Sequence, residues 1–273
     1  MSVDPGATSA EMTEAAHFAA LTAFRDVAGV SIEDDGDLVR TVAYGRPFSF
    51  LNAVLRLNLD SGHVPERVIQ IEAAYRAVGL HPEWWVTPQS RPVGLRDRFV
   101  SMGFSVGEND IGMAVDLASW PDAASATRSP NPAALKIIEV ATDADLADWI
   151  DVKCKSDGFR DPARAATYGD LYETKAAPRA GRTQILARLG SHPVAIASLF
   201  EVSGLAWVTN VGTVPSARGQ GIGSAVTSTI LDIASVRGHS RAWLAASTMG
   251  VSLYRRLGFV DTGPLVSFVR DQD

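Results

Sequence analysis

Trp207-Val208-Thr209-Asn210-Val211-Gly212-Thr213-Val214-Pro215-Ser216-Ala217-Arg218-Gly219-Gln220-Gly221-Ile222-Gly223-Ser224 is the stretch on which the reading of this 273-residue chain turns. It opens rich in Val and Thr, which suit a pleated, half-buried surface, so it reads as a strand that breaks at Pro215. Glycines follow at 219, 221 and 223. Beyond them Ile222, Val226, Ile230 and Ile233 recur at helical spacing, and Gly238 is a good C-terminal stop. A strand, a glycine turn and a helix N-terminus make an anion site. Backbone N–H groups point at the ligand, and the helix dipole adds roughly half a positive charge. Glycines are needed there because a Cβ would hold phosphate oxygens away from those N–H groups.

Two familiar phosphate loops fail the test. A P-loop ends in Gly-Lys-Ser/Thr, and here Gly223 is followed by Ser224 with no Lys. A dinucleotide fingerprint needs a third glycine or alanine where Ser224 stands, and an acidic residue at the end of the next strand. No Asp or Glu occurs between Ile233 and Val260. What remains is Arg218-x-x-Gly221-x-Gly223, which resembles the pyrophosphate loop of the GNAT superfamily of acyl-CoA-dependent N-acetyltransferases. A second stretch, Ala246-Ser247-Thr248-Met249-Gly250-Val251-Ser252-Leu253-Tyr254-Arg255-Arg256-Leu257-Gly258-Phe259, is similar to the closing helix of that superfamily, Asn-x-x-Ala-x-x-Leu-Tyr-x-x-x-Gly-Phe. Ser247 stands where many members carry Asn, and Gly250 where many carry Ala.

The resemblance implies an α/β (α+β) fold with a mixed, mostly antiparallel sheet flanked by helices, and acetyl-CoA as co-substrate. It implies that backbone groups around Val211, Gly212 and Thr213 pair with the pantetheine arm, as a sheet edge pairs with a strand. The pyrophosphate would fall on the turn made by Arg218, Gly219, Gln220, Gly221, Ile222, Gly223 and Ser224, with one hydrogen bond from Ser247. An amine then attacks the thioester directly, with no enzyme nucleophile. Tyr254 is the candidate acid: a phenol of pKa about 10 is a reasonable proton donor to a thiolate whose conjugate acid lies near 8.5. No carboxylate lies between Ala206 and Val214, where many members carry a Glu. Glu201, Asp157, Tyr168 and Asp170 are the available candidates for a base. Deprotonating a lysine-like amine at pH 7 costs about 4.6 kcal/mol and an α-amine about 1.4 kcal/mol, so a site without a strong base leans toward amines of low pKa.

The N-terminal half repeats the element order of the C-terminal half. Leu38–Tyr44 and Phe48–Leu59 read as strands, Pro65–Val78 as a helix ending at Gly79, Glu83–Thr87 as a strand with Trp84 and Trp85. Leu95–Met102 is a short helix closed by Gly103-Phe104, and Asp110–Leu117 a strand. Arg98-Phe99-Val100-Ser101-Met102-Gly103-Phe104 lines up with Leu253-Tyr254-Arg255-Arg256-Leu257-Gly258-Phe259. The chain therefore reads as two copies of one fold: residues 1–120, a linker at 121–134, and a catalytic copy at 135–273. In the first copy Asp60-Ser61-Gly62-His63-Val64-Pro65-Glu66 stands in place of the glycine loop, and Phe99, which has no proton to give, in place of Tyr254. In the second copy, strands are expected at 135–140, at 183–189 and 194–202 as a hairpin, at 241–246 and at 265–269. Thr142 or Asp143 is placed to cap a helix through Trp149 to Cys154, and the stretch from there to Ala180 is only loosely patterned.

Composition narrows the field. Hydrophobic content of 46% and charged content of 21% fit a soluble globular chain. A net charge of −6 and a pI near 5.4 speak against a broad basic face for nucleic acid. One cysteine, Cys154, makes no internal disulfide and fits a reducing cytoplasm. Residues 1–14 lack a signal-peptide pattern, and no apolar run reaches the length of a membrane span. His63, His81, His192 and His239 show no metal-ligand spacing, so no metal is expected. The acceptor is expected to be an amine-bearing small molecule or peptide, with oligomeric state left open. Two other readings stay open: a non-catalytic acyl-CoA-sensing module, and a tandem acyltransferase of the mycothiol-synthase kind.

Overall fold

The computed structural model describes residues 9–46, 48–118, 120, 134–159, 161–172 and 181–270. In chain order the elements are α1 (Ser9–Leu21), β1 (Val30–Asp34), β2 (Val39–Ala43), β3 (Ala53–Leu55), α2 (Val64–Arg76), β4 (Glu83–Val86), α3 (Leu95–Ser101) and β5 (Phe104–Asp116). Then come β6 (Leu135–Glu139), α4 (Asp143–Asp157), α5 (Pro162–Leu171), β7 (Arg182–Leu189), β8 (His192–Val202), β9 (Leu205–Thr213), α6 (Ile222–Val236), β10 (Arg241–Ala246), α7 (Val251–Arg256) and β11 (Val260–Arg270). The described chain divides into two compact units. Among the described residues, one is built from residues 9–112, 245–248 and 261–270, the other from residues 113–244 and 249–260. The expected linker, apart from Ala134, lies outside the described residues.

In the first unit the strand order is β1-β2-β3-β4-β11-β5. β1–β2, β2–β3 and β4–β11 run antiparallel, and β3–β4 parallel. A parallel pair needs a crossover, which α2 supplies. Val68, Ile71 and Tyr75 on α2 share one face at helical spacing and are buried with Val54, Trp84, Phe99, Phe104 and Phe268. Phe99 is fully buried and stacks on Phe268 with ring centroids 5.3 Å apart, so it is a core residue. Trp84 is likewise fully buried, its indole N–H donating to Glu72 Oε1 at 2.8 Å. The last strand, although it follows the glycine turn and the Tyr254 helix in sequence, pairs Val266, Ser267 and Phe268 with Val86, Trp85 and Trp84 of β4.

The second unit has the order β5-β10-β9-β8-β7-β6. Its β6–β7, β7–β8 and β8–β9 pairs are antiparallel, and β9–β10 is parallel with α6 as crossover. Ile222, Val226 and Ile230 are buried as their spacing predicts, whereas Ile233 is half-buried and Leu231 and Ala234 complete the stripe. Within each unit the strands are thus mixed and mostly antiparallel, flanked by helices.

Three elements depart from the sequence pattern. The expected strand at 48–59 shrinks to Ala53–Leu55. Before it, Asn52 is buried and its amide donates to the carbonyls of Arg46 and Phe48, drawing Ser49–Leu51 into a single 3-10 turn. After it, Arg56 takes φ +54° and interrupts the pleat. The edge strand β1, with its half-exposed polar sequence, carries no alternation to betray it. α5 was also hidden, although its start is well marked: the Asp161 carboxylate caps the Ala163 N–H at 2.9 Å and Pro162 takes the first helical position. No described helix is long and apolar enough to cross a membrane.

Candidate active site

β9 and β10 pair at two steps, Ala206↔Ala242 and Trp207↔Trp243. β9 continues to Thr213, with its other edge held by β8 as far as Thr213↔Ala195. Thr209 to Thr213 therefore present a row of backbone groups with no ladder partner on the β10 side among the described residues. The strand changes from buried to half-buried at Thr209. Backbone N–H and C=O groups in such a place need water or a ligand as partner.

A bulge interrupts the opposite side of the strand, where β9 pairs with β8. Ser198 faces Thr209 and Ile196 faces Gly212, so Ala197 opposes both Asn210 and Val211. Asn210 adopts φ +52°, uncommon outside glycine. Its amide Nδ2 donates to the Tyr172 hydroxyl at 2.9 Å and to Ser198 Oγ at 3.3 Å. Tyr172 ends α5, is almost fully buried, and stacks on Trp149 of α4 with centroids 4.7 Å apart. Burial pushes its phenol pKa up, so it keeps its proton.

α4 begins at a capping box between Thr142 and Asp145 and ends at Gly158, placing Ser156 in its last turn. Ser156 rests directly on Gly212: a Cβ there would meet Ser156 Oγ in hard contact and Ser156 Cβ at 2.9 Å. Arg218 joins the same elements. Its Nε donates to the Thr213 carbonyl at 3.1 Å and its Nη2 to the Ser156 carbonyl at 2.9 Å. The Arg218 side chain thus ties the glycine turn to α4 and β9.

The turn itself is a single 3-10 turn, Pro215–Ala217, followed by Gly219 at φ +76° and Gly221 at φ +78°. A Cβ at Gly219 would meet nothing within 4 Å, so the space above that backbone is open. Gly221 is the N-cap of α6 and supplies no side-chain cap. The first N–H groups of α6, at Ile222, Gly223 and Ser224, lie where the helix dipole is positive. Ile222 is buried beneath the turn, while Gln220 is exposed.

Gly223 serves packing. A Cβ on it would lie 3.1 Å from Leu253 Cδ1 and 3.7 Å from Thr213 Oγ1, so its bareness lets α7 approach the first turn of α6. Tyr254, next to Leu253, is mostly buried, and its ring meets Phe259 edge-on at 5.7 Å. Ser247 is exposed in the turn after β10.

The base candidates separate clearly. Glu201 pairs with Ala206, at the start of β9, and is held by Arg237 and by His239 Nε2 at 2.9 Å. It closes the far end of the strand and does not reach the open edge. Tyr168 is buried, with Arg164 Nε donating to its hydroxyl at 3.5 Å, and Asp170 is exposed on α5. Asp157 pairs with Lys153 at 2.7 Å and accepts at 3.2 Å from Ser156 Oγ, the hydroxyl that meets Gly212. Burial and the nearby Asp157 and Asp151 raise the Cys154 thiol, which disfavours a thiolate. Sequence reasoning missed Asn210 and Tyr172; an Asn inside a Val/Thr strand is the signal that marks such a bulge.

Residues 146–259 match the model of the Acetyltransferase (GNAT) family. No curated protein matches the chain. Among solved structures, a GCN5-related N-acetyltransferase from Kribbella flavida is 23% identical, with 95% of this chain and 96% of that one covered and a TM-score of 0.69. A GCN5-related N-acetyltransferase from Sphaerobacter thermophilus is 16% identical over 97% of this chain and 93% of that one, with a TM-score of 0.63. A tandem GNAT protein from the clavulanic acid biosynthesis pathway is 12% identical over 98% of both chains, with a TM-score of 0.62. At these identities the likeness is one of fold, and it spans both units.

Proposed function

We propose that the chain transfers an acetyl group from acetyl-CoA to a primary amine, a reading supported by the match of residues 146–259 to the Acetyltransferase (GNAT) family model and by the fold shared with a tandem GNAT protein. The observation that carries this reading is the open edge of β9, which leads straight into an uncapped glycine turn at the start of α6. An extended amide-bearing arm with a pyrophosphate at its end matches a strand edge followed by an anion-binding helix terminus. Val211, Gly212 and Thr213 would hold the pantetheine arm, and the N–H groups from Gly219 to Ser224 the pyrophosphate. Arg218 would keep that turn in shape.

The amine attacks the thioester carbonyl carbon, forming the C–N bond as the C–S bond breaks. The ammonium proton leaves to water or to a nearby carboxylate. Asp157, which accepts from the Ser156 hydroxyl that packs on Gly212, is the base candidate. Tyr254 gives its proton, or a strong hydrogen bond, to the departing thiolate and recovers it from solvent. The acceptor is a small molecule or peptide amine, with low-pKa amines favoured because no strongly basic group stands at the edge. The single Cys154 suits a reducing compartment such as the cytoplasm.

The test is thiol release from acetyl-CoA in the presence of a panel of primary amines, α-amines included. Amine-dependent release of free CoA is expected. Tight binding with no release on any amine would favour an acyl-CoA-sensing module instead.

A further inference from the structure

The bulge at Asn210 does more than interrupt a strand. Side chains alternate along β9, so a shift of register by one residue would exchange the faces of every residue beyond it. The position that meets Ser156 admits only glycine, since a Cβ at Gly212 would meet Ser156 in hard contact. Without the extra residue, Val211 or Thr213 would be driven against the last turn of α4. The bulge therefore sets which backbone groups of β9 face the open edge. It is held in place by one side chain. Asn210 sits in the left-handed region, which asparagine tolerates better than most residues. Its amide reaches both the buried Tyr172 hydroxyl and the fully buried Ser198 hydroxyl.

We propose that Asn210 is a positioning residue for acyl transfer, tethered by Tyr172 and Ser198 so that the backbone groups of Val211 and Thr213 meet the acyl donor in one fixed register. This rests on the proposed acetyl-CoA reading. The tether also joins the donor strand to α5, since Tyr172 follows its last turn and packs on Trp149 of α4. Hydrogen bonds to buried groups in such networks are costly to leave half-made, so loss of either partner loosens the same bulge.

Two variants separate this role from a plain structural one. Asn210→Gly keeps the left-handed backbone accessible and removes the tether. Tyr172→Phe keeps the ring on Trp149 and removes only the hydroxyl. The probe is acetyl-CoA labelled with carbon-13 at the thioester carbonyl, with affinity measured by calorimetry and carbonyl position by NMR. Both variants are expected to bind within about threefold of the parent, while the bound carbonyl resonance moves back toward its free value and kcat falls roughly 10–100-fold. The double variant should fall no further than Asn210→Gly alone, because that variant already removes the bond to Tyr172. Bound-state resonances unchanged in both variants, or single-variant losses that simply multiply in the double, would overturn the proposal. A parent protein that binds no acetyl-CoA would overturn the acetyltransferase reading itself, and the proposal with it.

Discussion

Asn210 and Arg56 stand at matching places in the two units: each closely follows a two-step parallel strand pair, and their φ angles are +52° and +54°. What comes next differs. In the first unit the Arg91 N–H donates to the Leu57 carbonyl at 2.8 Å, and the Leu59 N–H donates to the Arg91 carbonyl at 3.0 Å. The edge that stays open on β9 is thus covered in the first unit by the chain's own backbone. At its turn Asp60 accepts from the Gly62 N–H at 3.0 Å, placing a carboxylate where an anion would need to sit. One acetyl-CoA should therefore bind per chain. Calorimetry giving two equivalents would contradict this.

The glycine turn gives a second expectation. Gly221→Glu places a carboxylate at the start of α6 and forces a left-handed non-glycine residue, a strain of about 1–2 kcal/mol. It should reduce acetyl-CoA affinity at least ~100-fold through charge repulsion, a loss of roughly 2.7 kcal/mol. Gly223→Ala acts differently, because its methyl would press on Leu253. A several-fold loss in kcat with little change in affinity is expected, read from steady-state kinetics beside calorimetry. Equal affinity losses in the two variants would mean that Gly223 also lies on the phosphate path.

Arg218 offers a sharper distinction. Its fork bridges two carbonyls, on Thr213 and Ser156, a geometry that lysine cannot reproduce. Arg218→Lys should then weaken acetyl-CoA binding about as much as Arg218→Gln, roughly tenfold. Full rescue by lysine in a binding titration would show that the charge matters and the fork does not.

A pH dependence of stability follows from His17. It is buried on α1 against Trp85, with ring centroids 4.4 Å apart, and burial pushes its imidazole pKa down to about 3. The folded pKa lies below the usual value of 6.5, so the unfolded chain binds the extra proton first. The stability of neutral His17 is fully present above pH 6.5 and is lost as pH falls toward 3, at about 1.4 kcal/mol per pH unit. Asp110, which burial raises to about 6, acts with the opposite sign between 6 and 3.8. Comparing the parent with His17→Phe by urea denaturation cancels that second group. The stability difference between the two should move steadily in favour of His17→Phe below pH 6.5, whereas a constant difference would contradict a buried neutral imidazole.

Much of the local geometry around this candidate site was legible in the residues, and the reason is local. Glycines at 219 and 221 are required by positive φ, and the stripe of Ile222, Val226 and Ile230 by helix periodicity, so both can be read along the chain. The same holds for Val68, Ile71 and Tyr75 on α2. What could not be read depends on partners distant in sequence. Gly223 answers to Leu253, Gly212 to Ser156, and Arg218 to a carbonyl on α4. Glu201 is close to β9 in sequence, yet its charge is taken by Arg237 and His239. The Asn210 bulge depends on Tyr172, 38 residues away along the chain.

The central claim is direct acyl transfer at the β9 edge, with Tyr254 aiding departure of the thiolate, and kcat of Tyr254→Phe tests it most directly. The substitution keeps the ring against Phe259 and deletes one hydroxyl. The account predicts a KM for acetyl-CoA near that of the parent and a kcat lower by roughly one to three orders of magnitude. The deficit should shrink when the leaving thiol is made more acidic. A stable Tyr254→Phe protein with full kcat would contradict the account.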